Sequence, residues 1–186
     1  PSSTLGIVVS GGTLANITAL WCARNAWLSR RPGLGRTTPE PGRPERKQLG
    51  AERAVIVGSS LMHYSLEKAV DLLGLDADCL LRVPVDRSHR MPPASLARVV
   101  RECMSRGDRV LAIVGVAGTT DAGTVDPLAE VGAIAREAGA HFHVDAAWGG
   151  QLLFSKAHRH KLAGIELAGS VVIDGHKRLH QPMGVG

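Results

Sequence analysis

The chain reads as an α/β protein, a mainly parallel sheet flanked by helices, over residues 1–186. Three observations predict this. Short β-branched runs alternate with helical patterns of about 10–15 residues, the spacing of right-handed crossovers. Aromatics make up only 3% of the 186 residues, so the core must rest on Val, Leu, Ile and Ala, which suits a buried parallel sheet. At 44% hydrophobic and 21% charged, the composition is that of a globular domain long enough for a real core.

The elements follow in order. Gly6 to Ser10 is a short apolar approach to Gly11-Gly12, and a helix runs from about Thr13 to Leu28 with Ile17, Leu20, Trp21 and Arg24 at helical spacing. Ala54-Val55-Ile56-Val57-Gly58 is a β-rich run bounded by Gly and Ser. Ser65 to Leu73 is a helix with Ser65 as its N-cap and Gly74 as its stop. Cys79 to Val85 is a strand, and Pro93 to Ser105 a helix with Pro in its first turn. Arg109 to Val116 is the strongest strand. Pro127 to Ala138 is a helix ended by Gly139; His141 to Asp145 and Ser170 to Asp174 are strands. No internal repeat is present.

Charge and cysteine content narrow the function. The net charge is +5, and much of it lies at residues 29–50, within a loop expected at 29–52, where Arg30, Arg31, Arg36, Arg43, Arg46 and Lys47 face only Glu40 and Glu45. That segment is also rich in Pro and Gly and carries no aromatic residue, so it predicts a mobile, solvated loop and no nucleic-acid contact. Three widely spaced cysteines, Cys22, Cys79 and Cys103, form no disulfide framework, which predicts a cytoplasmic protein. No apolar run approaches the roughly 20 residues that span a bilayer, so no membrane contact is expected. Asn16-Ile17-Thr18 matches the glycosylation triplet but falls inside a predicted helix.

Chemistry concentrates at the predicted carboxyl ends of the strands, where α/β folds place their ligands. His143 to Asp145 reads as a strand ending in an acid, and the run to Asp174-Gly175-His176-Lys177 as a strand leading to a lysine. Asp145 opposed to Lys177 suits pyridoxal phosphate: the lysine forms an imine with the cofactor aldehyde, and the acid holds a proton on the pyridine nitrogen. Ser10-Gly11-Gly12-Thr13 lies just before a helix, where glycines let a phosphate approach the free N–H groups of the first turn. A plain glycine turn capped by Thr reads the same way. His63 follows a strand and a short loop; it can stack on a flat ring or be an ordinary surface histidine. Gly118-Thr119-Thr120-Asp121 puts hydroxyls at a strand end, as either a ligand contact or a polar turn. His141, His143 and Asp145 alternate along one strand and share a face, which leaves zinc or iron as a rival; we expect no metal, because only Asp145 reaches the open edge. His158-Arg159-His160-Lys161 reads as a solvated helix face.

Taken in order, these segments resemble the group II pyridoxal-phosphate-dependent amino-acid decarboxylases, the family of glutamate, cysteine sulfinate, aromatic amino-acid, diaminobutyrate and aspartate decarboxylases. Ser10 to Asn16, His63 to Ala69, Gly118 to Gly123 with Asp126-Pro127-Leu128, His143 to Gly150, and Asp174 to Lys177 carry the resemblance. It implies the fold type I, aspartate-aminotransferase-like large domain, an amino-acid substrate, and a homodimer with its active site at the subunit interface. It assigns Lys177 as the imine lysine, Asp145 to the pyridine nitrogen, His63 over the ring and Ala147 beneath it. Gly12, Thr13 and His176 fall around the phosphate, and Thr119 or Thr120 faces the ring oxygen. Trp148-Gly149-Gly150 and the stretch His158 to Glu166 look like the glutamate and cysteine sulfinate branch, while Gly175 to Gly184 looks more like bacterial members including aspartate decarboxylases. The expectation is therefore an acidic substrate. Other fold type I lyases, aminotransferases and a non-catalytic remnant are the alternatives.

Family members are considerably longer. The resemblance implies that this is a partial large domain, without the strand after the lysine, the catalytic loop with its tyrosine, and the small C-terminal domain. Pro1 and Gly186 are expected to be cut ends, and the piece by itself is expected to be inactive.

Overall fold

The computed structural model describes residues 4–30 and 53–186. The expected basic loop lies, from residue 31 to 52, outside the described residues. In chain order the elements are α1 (Gly12–Ser29), β1 (Ala54–Ser59), α2 (Ser65–Leu72), β2 (Leu80–Val83), α3 (Pro93–Ser105), β3 (Arg109–Val116), α4 (Leu128–Glu137), β4 (His141–Asp145), β5 (Ser170–Val172) and α5 (Gly175–Arg178). Short 3-10 turns fill Gly150–Phe154, Arg159–Leu162 and Ile165–Leu167 between β4 and β5.

Among the described residues the strands are all parallel and form one five-stranded sheet in the order β2-β1-β3-β4-β5. The two longest Val/Ile runs, β1 and β3, take interior positions covered on both faces, and every residue of β1 is buried. One face packs on α1 and α2: Leu20, Leu66, Ala69 and Val70 meet Ile56, Leu111, Val114 and Val116. The other packs on α3 and α4: Leu96, Val100, Leu128 and Val131 meet Val55, Val57, Ile113 and Val144. The sheet runs outward from β1 to β2 and, in the other direction, from β3 to β5. That reversal is a topological switch point, and it opens a crevice at the carboxyl ends of β1 and β3.

Register then aligns the chemistry. Val116 pairs with Asp145, and Asp145 with Val172, so β3, β4 and β5 end in one row. Asp126 clamps the row from behind. Its carboxylate accepts from the Val116 N–H at 2.9 Å and the Met91 N–H at 2.8 Å. Burial raises this carboxyl above its usual range, although both backbone donors pull the other way.

Four local expectations change. Ser65 is the first residue of α2 and Tyr64 the cap, because the Ser65 hydroxyl bonds to Asn16 and His63. Cys79 ends a 3-10 turn, so β2 begins at Leu80 and stops at Val83. β5 is only Ser170–Val172; Ile173 and Asp174 leave the sheet to start α5. His158 caps a 3-10 turn that holds Arg159, His160 and Lys161, all exposed, in place of a helix face. Gly74 (φ +70°) and Gly139 (φ +63°) take the left-handed conformation that ends α2 and α4.

Candidate active site

Five chain segments converge on one cavity of about 260 Å³ at the carboxyl edge of the sheet. Gly11, Gly12 and Thr13 come from the start of α1, His63 from the β1–α2 loop, and Thr120 from the loop after β3. Asp145 and Ala147 come from the end of β4, and His176 and Lys177 from α5; all of them line the cavity.

Asp145 is 5% exposed. Its Oδ1 accepts from the Ala147 N–H at 3.1 Å and its Oδ2 from the Asn16 side-chain amide at 2.9 Å. These fix the carboxylate while leaving lone pairs free for a ligand. Lys177 Nζ lies 2.8 Å from Asp174 Oδ2, and 5.4 Å from the centre of the Trp148 ring. Asp174 is buried, and its Oδ1 has no hydrogen-bond partner among the described residues. A side chain at Gly12 would put its Cβ 2.7 Å from the Asp174 oxygens, so the missing Cβ is what lets α1 close over this acid. Gly11 (φ +90°) turns the chain into α1, whose first-turn N–H groups give the 18-residue helix an anion-accepting end. His176 anchors the same corner: its Nδ1 lies 2.8 Å from the Val185 carbonyl oxygen, and its Nε2 3.8 Å from Asp174 Oδ2.

His63 Nδ1 is 2.9 Å from the Ser65 hydroxyl. Burial lowers the imidazole below its ordinary value, against the pull of Asp145. The two threonines separate. Thr120 lines the cavity, whereas buried Thr119 hydrogen-bonds Thr124 Oγ1 at 3.0 Å and receives the Thr124 N–H at 3.1 Å within its own turn. Gly118 (φ +96°) and Gly149 pack backbone against backbone beside the cavity; a Cβ on Gly118 would meet the Gly149 nitrogen at 2.9 Å.

His141, His143 and Asp145 do share a face of β4, and hydrogen bonds already engage them. His141 Nε2 and His143 Nδ1 both meet Ser170 Oγ at 2.8 Å, and His143 Nε2 meets Asn16 Oδ1 at 2.9 Å. Among the described residues no group of three His, Cys, Asp or Glu is placed to hold a metal ion. Burial drives His143 down to about 4, overriding the attraction of Asp145, so its imidazole is neutral.

Residues 2–186 match the family described as "Pyridoxal-dependent decarboxylase conserved domain". The chain belongs to this family. It is 44% identical over 183 residues to the aspartate 1-decarboxylase of Aliivibrio fischeri, covering 98% of this chain and 34% of that protein. It is 36% identical to the L-2,4-diaminobutyrate decarboxylase of Rhizobium meliloti, over all of this chain and 34% of that one. The crystal structure of mouse CSAD in apo form superposes with a TM-score of 0.85 at 32% identity, over 98% of this chain and 36% of that one. The fold is thus that of the fold type I decarboxylases. The chain spans about a third of the length of the curated relatives it matches.

Within this decarboxylase domain, Asn16, Ser65, Ser170 and Asp174 are site residues to which the sequence alone assigns no role there. Asn16 carried a readable signal. It stands four residues before Leu20 on the core face of α1, and a buried amide there needs partners.

Proposed function

We propose that the full-length protein decarboxylates an acidic L-amino acid with pyridoxal phosphate, giving an amine and CO₂. The observation that carries the proposal is the convergence of Asp145 and Lys177 on one cavity that also holds the α1 N-terminus and His63. The donor set fits the cofactor group by group: a carboxylate for the pyridine nitrogen, an amine for the aldehyde, N–H groups for the phosphate and a hydroxyl for the ring oxygen. When bound, pyridoxal phosphate supplies an electron sink for the pair left by the broken Cα–carboxylate bond.

The chain's own residues do the rest. Asp145, fixed by Asn16 and Ala147, keeps a proton at the pyridine nitrogen. Lys177 holds the aldehyde carbon, and before loading its ammonium is paired with Asp174. Gly12, Thr13 and His176 hold the phosphate, Thr120 the ring oxygen, His63 one ring face and Ala147 the other. Thr119 supports the Thr120 turn without touching the ligand.

The acidic preference draws on the aspartate 1-decarboxylase relative, and the diaminobutyrate relative is its main competitor. Exposed Leu14 and Trp21 on α1 support a homodimer that covers them. No described helix is long and apolar enough to cross a membrane, and the cytoplasm is the proposed location. The described piece, without the rest of the protein, is proposed to be inactive.

The test uses full-length protein with aspartate, glutamate, cysteine sulfinate and 2,4-diaminobutyrate. CO₂ and amine should form from an acidic substrate, and Asp145→Ala should lower the rate by roughly a hundredfold or more. A keto acid product would identify an aminotransferase, and cofactor binding without turnover a non-catalytic protein.

A further inference from the structure

Asn16 is 1% exposed, and its amide joins two halves of the cavity wall. Asp145 decides which way that amide points. A carboxylate only accepts, so the atom 2.9 Å from Asp145 Oδ2 is the nitrogen. Its second hydrogen goes to Ser65 Oγ at 2.9 Å. Ser65, having accepted, gives its own proton to His63 Nδ1 at 2.9 Å, and the Ser65 backbone N–H reaches the same nitrogen at 3.2 Å. His63 is therefore left with hydrogen on Nε2 and only that nitrogen to offer a ligand.

The other arm follows the same count. Asn16 Oδ1 must accept, so His143 Nε2, 2.9 Å away, carries hydrogen. Neutral His143 then has a bare Nδ1, which takes the Ser170 hydroxyl proton at 2.8 Å. Ser170 in turn accepts from His141 Nε2–H at 2.8 Å. Every proton in the chain from His141 to His63 has one place, and the amide of Asn16 is the link between the arms.

We propose that Asn16 is the positioning residue of this site, orienting Asp145 directly and, through Ser65, aiming the hydroxyl that backs the His63 tautomer beside the Ser65 N–H. One side chain thereby sets both the acid at the ring nitrogen and the imidazole over the ring. The placement of the ring rests on the cofactor reading above; the order of hydrogen bonds does not.

The experiment reads histidine ring ¹⁵N shifts in cofactor-free full-length protein, then pyridoxal phosphate affinity. Wild type should show His63 and His143 each as a single Nε2–H tautomer. Asn16→Asp, close in size, keeps an acceptor for His143; the one proton it shares with Asp145 leaves no donor for Ser65. It should move the His63 Nδ1 resonance as the Ser65 hydroxyl is released, spare His143, and weaken cofactor binding roughly tenfold to a hundredfold. Asn16→Ala should disturb both histidines; if it does not fold, Asn16→Asp alone decides. An Nδ1–H His63 in wild type, an unchanged His63 Nδ1 resonance in Asn16→Asp, or unchanged affinity despite a changed resonance would each overturn the proposal. Wild-type tautomers as expected with no pyridoxal phosphate binding would instead sink the cofactor reading, because the tautomers are read without cofactor.

Discussion

His143 makes stability depend on pH in a way that can be isolated. Its imidazole is fully buried and titrates at about 4, against 6.5 for a free histidine. Below pH 6.5 the unfolded chain binds a proton here that the folded chain refuses. Stability from this group is intact above pH 6.5 and is lost as pH falls toward 4. At 1.36 kcal/mol per pKa unit the loss reaches about 3 kcal/mol, a large share of the 5–15 kcal/mol that holds a typical domain. Burial also lowers His141 and His63, so they act in the same direction. The comparison that isolates His143 is His143→Gln, which cannot titrate. Urea unfolding of cofactor-free full-length protein at pH 7 and pH 4.5 gives the change for each. Wild type should lose roughly 2–3 kcal/mol more than His143→Gln. Parallel losses would refute the reasoning, since they would mean that His143 is protonated within the fold.

Two glycines beside the cavity give further tests. A Cβ at Gly149 would overlap the Ala117 carbonyl oxygen, a backbone atom that cannot rotate away. Gly149→Ala should therefore cost about 3 kcal/mol or more in thermal unfolding, against about 1 kcal/mol for Gly139→Ala, where φ is positive but the space is open. Gly12→Ala would drive its methyl into the Asp174 carboxylate and turn it from Lys177. Pyridoxal phosphate affinity should fall about tenfold or more, as measured by fluorescence titration, with a smaller effect on unfolding.

The sheet was legible because its signal is local. Val and Ile runs bounded by Gly and Ser mark β1 and β3, and burial on both faces is why they lack alternation. The acid was legible because it ends β4, and the lysine because it stands in the short helix that follows β5. What escaped depends on distant partners. Asn16 bonds across 49, 127 and 129 residues, and nothing in its neighbourhood names Ser65, His143 or Asp145. Ser65 looked like a cap for the same reason: a serine before an apolar run fits the local rule, and only the fold reveals a competing demand on its hydroxyl. Thr119 and Thr120 stayed ambiguous because one residue in a tight turn reverses a side chain, and the positive φ of Gly118 that sets the turn is not written in the threonines.

Lys177 is the amine proposed to take the cofactor aldehyde. The most direct measurement is borohydride reduction of full-length protein loaded with pyridoxal phosphate, followed by peptide mapping. A single pyridoxyl group should appear on Lys177 and be absent in Lys177→Ala. Labelling at Lys156 or Lys161, or no label at all in protein that binds the cofactor, would contradict it.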